Sequence, residues 1–157
     1  MIWNAIKSVK NMVTGNSAEI ELFLEEETLE LGREFNVMVK ATLNEPSLNA
    51  KNVYLKIRAI ERIEAEGIEI EYEDGEREVE TTIVKKSTVT YEEQWLIPIN
   101  SALNSEQSYE WQFTVSIPED NNGTYSGQYA WHKYEIQAGL DTVGNDPDTG
   151  WQIFEIY

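Results

Sequence analysis

The chain contains no cysteine. That excludes disulfides, thiolate nucleophiles and cysteine-ligated zinc or iron–sulfur centres, and it suits a reducing compartment. Long apolar runs are missing as well. No stretch approaches the roughly 18 uninterrupted apolar residues of a membrane span, and the first fifteen residues lack a small-residue cleavage site behind an apolar stretch. The expectation is a soluble protein of the cytoplasm. Basic charge is scarce: 12 Lys and Arg stand against 29 Asp and Glu, for a formal net charge of -17. Such a chain repels a nucleic acid before any contact forms, so no nucleic-acid partner is expected. Histidine occurs once, at His132. No P-loop, no Gly-x-Gly-x-x-Gly and no Gly-x-Ser-x-Gly elbow is present. Internal repeats, low-complexity tracts and linkers are absent too.

What is present is alternation. Tyr109, Trp111, Phe113, Val115 and Ile117 alternate with polar residues and stop at Pro118. Ile20, Leu22 and Leu24 do the same against Glu19, Glu21 and Glu25, followed by Phe35, Val37, Val39, Ala41 and Leu43, and then by Val53, Leu55, Ile57 and Ala59. Period-two runs bounded by turn residues are half-buried strands of an antiparallel sheet. Ile68, Ile70 and Tyr72 lead into Asp74-Gly75, the dipeptide favoured by type I′ hairpins because both central residues need positive φ. Val79, Thr81 and Ile83 return, a further strand runs from Val89 to Ile97, and the phase Ala130, His132, Tyr134, Ile136, Ala138, Leu140 supplies another before Trp151 to Ile156. Eight or nine short strands with almost no helix predict one all-β, immunoglobulin-like antiparallel sandwich over residues 16–157. Residues 1–15 differ: Ile2, Ile6, Val9 and Val13 recur at helical spacing with Gly15 as a stop, which predicts one short N-terminal amphipathic helix. This segment carries Lys7 and Lys10 and no acid, leaving -19 on the rest of the chain.

The order of these features is familiar. A Gly-turn-strand opening at Leu31-Gly32-Arg33-Glu34-Phe35 precedes Val53-Tyr54-Leu55-Lys56-Ile57, the aromatic alternation ending in Ile117-Pro118, a small-residue turn at Thr124-Tyr125-Ser126-Gly127, and Lys133-Tyr134-Glu135-Ile136-Gln137-Ala138-Gly139-Leu140-Asp141. Together they resemble the N-terminal domain of the arrestin-like superfamily, over roughly residues 18 to 157. The short basic helix is similar to the bacterial branch, the sporulation-control proteins. That family usually carries two tandem sandwiches and this chain ends after one, as a single-domain member or a piece of a longer protein. The resemblance implies a non-enzymatic adaptor or scaffold and assigns no residue-level site.

Candidate sites follow from the residues themselves. With Asp74-Gly75 as a two-residue turn, Glu73 faces Glu76, Glu71 faces Glu78 and Glu69 faces Glu80, six carboxylates on one side of a ribbon. Like charges directly opposite are destabilising. The face is therefore either a solvated guard against strand pairing, a face neutralised internally by lysines such as Lys85 and Lys86 or by the basic helix, or a surface for a basic partner or a cation. The helix, with Trp3, Ile6, Lys7 and Lys10, suits a partner's groove or a membrane surface. At three turns it is marginal alone, so packing on its own sandwich is the default, and the acidic body opposes anionic lipid. Asp141, Asn145, Asp146 and Asp148 crowd one loop in a spacing of ordinary turn chemistry, so no metal is expected.

His132 lies in phase with the core and reads as a structural residue. Two carboxylates at hydrolase spacing could still arise by chance among so many acids. Five tryptophans invite an alternative, a small-ligand or glycan-binding sandwich. Trp111 and Trp151 keep the phase of buried faces, and Trp131 is the one expected in solvent. The leading expectation is an intracellular adaptor without cofactor that binds protein partners through sheet edges, loops or the acidic hairpin. Free sheet edges also allow a homodimer.

Overall fold

The alternating runs close into two antiparallel sheets in the computed structural model, which describes residues 4–5 and 17–157. The strands are β1 (Asn4–Ala5), β2 (Ala18–Leu24), β3 (Glu34–Leu43), β4 (Ser47–Leu48), β5 (Ala50–Glu73), β6 (Glu76–Pro98), β7 (Leu103–Asn104), β8 (Tyr109–Ser116), β9 (Tyr125–Ser126), β10 (Ala130–Thr142) and β11 (Gln152–Phe154). One sheet has the order β1-β2-β3-β8. The other runs β11-β10-β5-β6 with β9 added to β10, and β4 and β7 form a small separate pair. This is the expected all-β sandwich.

Its core is the sum of the predicted phases. Ile20, Leu22, Phe35, Val37, Val39, Phe113 and Val115 from the first sheet meet Val53, Leu55, Ile57, Tyr134, Ile136 and Leu140 from the second, with Ile156 from the segment after β11, all buried. Large and small residues oppose one another across β5 and β10, as at Leu55 with Ala138 and Ala59 with Tyr134, so their volumes complement one another within the layer. The chain end is tied in as well: Leu31 N–H donates to Tyr157 O at 2.8 Å and Tyr157 N–H to Leu29 O at 3.1 Å.

Two expectations change. At residues 4–5 the backbone is extended rather than helical, because Asn4 and Ala5 pair with Leu24 and Phe23 on the otherwise free edge of β2. The rest of the expected N-terminal helix, including Trp3, Ile6, Lys7 and Lys10, lies outside the described residues. Second, the segments 53–59 and 68–72 are one strand of 24 residues, and 79–83 and 89–97 are one of 23. No proline interrupts either segment, and the cross-strand ladder carries on unbroken after the sandwich ends.

On the outer face of the second sheet, Tyr54 lies across Gly139. A Cβ at Gly139 would sit 2.6 Å from Tyr54 Cζ and 2.8 Å from Asp148 Cβ. Gly139→Ala is therefore expected to cost roughly 1–3 kcal/mol by overpacking, read as a lower midpoint in urea denaturation with an unchanged slope.

Burial, reinforced by the Asp148, Asp146 and Asp141 carboxylates, raises the Tyr54 hydroxyl well above the usual tyrosine value. Burial and a hydrogen bond to Glu93 raise Tyr91 in the same way. Both folded values lie above the unfolded one of about 10. Their contribution to stability is thus intact below a pH of about 10 and is lost as pH climbs through the folded values. Denaturation curves between neutral and strongly alkaline pH, with tyrosinate absorbance followed in parallel, are expected to show late-titrating tyrosines whose ionisation coincides with loss of stability. Tyr54→Phe is expected to remove part of the late signal and flatten the decline.

A candidate interaction site on a projecting ribbon

Strand β10 leaves β5 at the Ala130–Ile63 pair, and the last backbone tie to the sandwich is Glu64 N–H donating to Tyr129 O at 2.7 Å. Beyond it, residues 65–84 form a two-stranded ribbon held by β5 and β6 alone. Nine residues per strand at about 3.3 Å each give an arm of about 30 Å. Its tip is the expected type I′ turn, with Asp74 at φ 52° and Gly75 at φ 85°.

The root of the arm is reinforced. Between the pairs Ala59–Tyr91 and Ile60–Val89 the register shifts, which leaves Thr90 as the extra residue of a β-bulge. The Thr90 hydroxyl lies 2.6 Å from Nε2 of His132, and Nδ1 of His132 lies 3.0 Å from Gly123 O. A carbonyl only accepts, so Nδ1–H donates to Gly123 O, and the Thr90 hydroxyl that meets Nε2 also reaches Ala59 O at 3.4 Å. His132 is buried, stacked on Tyr125 and edge-on to Tyr134. These contacts tie it to the bulge. Tyr125 reaches Glu61 with its hydroxyl at 3.3 Å, and Lys85 pairs with Glu64 at 3.2 Å on the last supported rungs.

The ribbon's two faces have opposite chemistry. The expected register holds: Glu69 opposes Glu80, Glu71 opposes Glu78 and Glu73 opposes Glu76, so all six share one face, where Glu69, Glu71, Glu78 and Glu80 line a shallow acidic depression. None has a salt bridge among the described residues; Lys85 binds Glu64 on the opposite face, so it does not neutralise the cluster. The other face carries Ile68 at 70% exposure, Ile70 at 44%, Tyr72 at 74%, Val79 at 56% and Ile83 at 65%. Within β5 the apolar parity has inverted. Val53, Leu55, Ile57 and Ala59 put the odd positions into the core, whereas Ile68, Ile70 and Tyr72 put the even positions on the outer side. Odd positions on the ribbon have no second sheet to pack against, and from Glu69 through Glu71 to Glu73 they are glutamates. The apolar even positions are uncovered among the described residues.

The other candidates resolve differently. Asp146 Oδ1 accepts from Thr142 N–H at 2.8 Å and Asp148 Oδ1 from Gly150 N–H at 2.6 Å, so these carboxylates hold their own loop in shape. Trp131, expected in solvent, is half-buried with Lys133 Nζ 4.6 Å from its ring centre. Trp151 lies half-buried under the Arg58 guanidinium at 4.0 Å, and Arg58 also pairs with Glu135 at 2.7 Å. Trp95 and Trp111 pack partly buried against the core. The exposed tryptophan cluster that a glycan-binding surface requires is thus not formed by these four.

Charge relief on the acidic face has a measurable consequence. A directly opposed like-charge pair destabilises by about 0.2–1 kcal/mol. The double substitution Glu71→Gln, Glu78→Gln is expected to slow hydrogen exchange of the ribbon amides over 65–84 at low salt. That gain should shrink at 1 M salt, where screening acts within about 3 Å.

The sequence matches no family model and no curated protein. Among solved structures it is similar to the crystal structure of Spo0M, a sporulation control protein from Bacillus subtilis, with 14% identity and a TM-score of 0.56 over 90% of this chain and 49% of that one. The chain therefore spans about half the length of that structure. The likeness is one of fold, and it shows the two sheets to be an arrestin-like β-sandwich.

Proposed function

We propose that this chain is a non-enzymatic adaptor or scaffold of the arrestin-like kind, and that the projecting ribbon is its recognition arm. The observation that carries this reading is the parity inversion within β5, which places Ile68, Ile70 and Tyr72 on a face that the chain's described residues leave uncovered. Hydrophobic side chains concentrated on an exposed arm are a costly way to end a sandwich, and contiguous exposed apolar surface marks a binding site. The acidic face selects the sign of the partner. Residues 65–84 hold eight acids and one arginine, so a protein surface carrying Lys or Arg beside apolar residues is attracted at long range and docks with its apolar side chains on the opposite face. The Bacillus subtilis sporulation control protein of similar fold is consistent with a regulatory role.

The test is a capture experiment with the intact chain as bait, beside two variants. One replaces Glu69, Glu71, Glu78 and Glu80 by Gln, and the other carries Ile68→Thr and Ile70→Thr, which keep β-branching. A partner held by the intact chain, weakened by the first variant in a salt-dependent way and lost from the second is the expected result. Equal capture by all three would remove the ribbon from partner binding and return the search to the sandwich.

A further inference from the structure

Strand β6 is the edge of its sheet: β5 is its partner on one side, and no described residue pairs with the other. A free edge of 23 residues is unusual, since edges of that length are templates for another strand. The order of side chains along it supplies the rest. Reading from the tip, Glu76, Glu78 and Glu80 are followed by the uncharged Thr81, Thr82, Ile83 and Val84, and then by Lys85 and Lys86. Acid, neutral centre and base in that order form a pattern complementary to itself when reversed. An antiparallel strand is a reversed strand.

From this pattern we infer that the chain forms a homodimer by antiparallel pairing of two β6 edges about a two-fold axis at Ile83. The symmetry restricts the register. A two-fold axis perpendicular to an antiparallel pair passes between a residue and its own copy, so only registers centred on a residue are available. Centred on Ile83, the register sets Glu80 of each chain directly opposite Lys86 of the other, twice, with Ile83 against Ile83 and Thr82 against Val84. A register centred on Thr82 keeps one acid–base pair, Glu78 with Lys86, but sets Glu80 against Val84 and Ile83 against Thr81, so it gives up the apolar contact of Ile83 with its own copy at the axis.

The backbone polarity agrees. The type I′ turn makes Glu73 and Glu76 a hydrogen-bonded pair. Alternation up the ladder then directs the N–H and C=O of odd residues from Arg77 to Lys85 outward, toward an added strand. Ile83 therefore meets its copy as a hydrogen-bonded pair. Glu80 and Lys86 fall at a non-hydrogen-bonded pair, where opposed side chains come closest. The bulge at Thr90 ends the straight part of the edge, so Glu76 to Val89 is the span available for pairing. Each two-stranded arm, marginal on its own, gains a third strand in the joined sheet, with Glu76 to Val84 lying against residues 82–90 of the other copy. The apolar faces of both copies lie on one side of that sheet and the acidic faces on the other. Dimerisation uses the edge of the ribbon, and the partner surface proposed above uses its faces, so the two are separable.

The experiment is sedimentation or light scattering of the full chain from low micromolar to about 100 µM at near-physiological salt, with thermal melts to confirm that each variant is folded. The chain is expected to dimerise. Glu80→Lys and Lys86→Glu each create like-charge pairs at both crossings, and each is expected to weaken association about tenfold or more. The double swap Glu80→Lys, Lys86→Glu is expected to restore the unmodified affinity. Because the chain has no cysteine, Ile83→Cys gives a clean register probe. Its Cα atoms would lie about 5.5 Å apart across the axis, within disulfide reach, and mild oxidation is expected to yield a covalent dimer where Thr82→Cys does not. A chain that stays monomeric throughout overturns the proposal. A dimer indifferent to both swaps, or one cross-linked through Thr82→Cys instead, overturns it equally.

Discussion

One hydrogen-bond ladder organises this molecule. Strands β5 and β6 pair from Asn52 with Pro98 to Glu73 with Glu76, the first half inside a sandwich and the second half in water. Backbone groups in such a ladder satisfy one another whatever the environment of the side chains, so the pairing passes through the end of the core without a break. Side chains have no such indifference. Each face must suit whatever lies opposite it, and the sequence along β5 changes character at the point where β10 and the opposing sheet stop.

On the inner side that change is a simple consequence of solvent. Val53, Leu55, Ile57 and Ala59 are buried because a second sheet covers them; Glu69, Glu71 and Glu73 occupy the same parity where no sheet does. Solvation alone does not account for the outer side, where Lys56 and Arg58 give way to Ile68, Ile70 and Tyr72. A water-facing extension would be equally soluble with polar residues there and would avoid an exposed apolar face. That asymmetry between the two faces, more than the number of acids, separates this ribbon from an ordinary long hairpin.

Much of the sandwich was legible from period-two runs, since a core-facing residue every second position is a direct record of burial on one side. The Asp74-Gly75 turn and the opposition of the six glutamates followed from turn chemistry, because the loop length of a hairpin fixes its register. The length of β5 and β6 was harder to see. Around Ile60 to Ala65 the alternation blurs as the environment changes from core to solvent, and a strand whose pattern fades reads as two. The shift of apolar residues from odd to even positions was nevertheless present in the sequence, at Ala59 and Ile68. The bulge at Thr90 carried no local signal, as it arises from a contact with His132, 42 residues further along. Trp131 was misplaced for a similar reason: the side chain that covers it, Lys133, is polar, and polar cover leaves no mark in a hydrophobic pattern.

The arm is also a lever. With a length of about 30 Å, a rotation of about 10° at its root displaces its tip by about 5 Å, close to the spacing of neighbouring strands. The root is braced by Thr90, the buried His132 and the Gly123 carbonyl, groups that touch nothing at the far end. Aim and surface chemistry are therefore encoded separately in this chain. Residues near the tip present the arm's charge and apolar surface, and the three groups that brace it sit at its root.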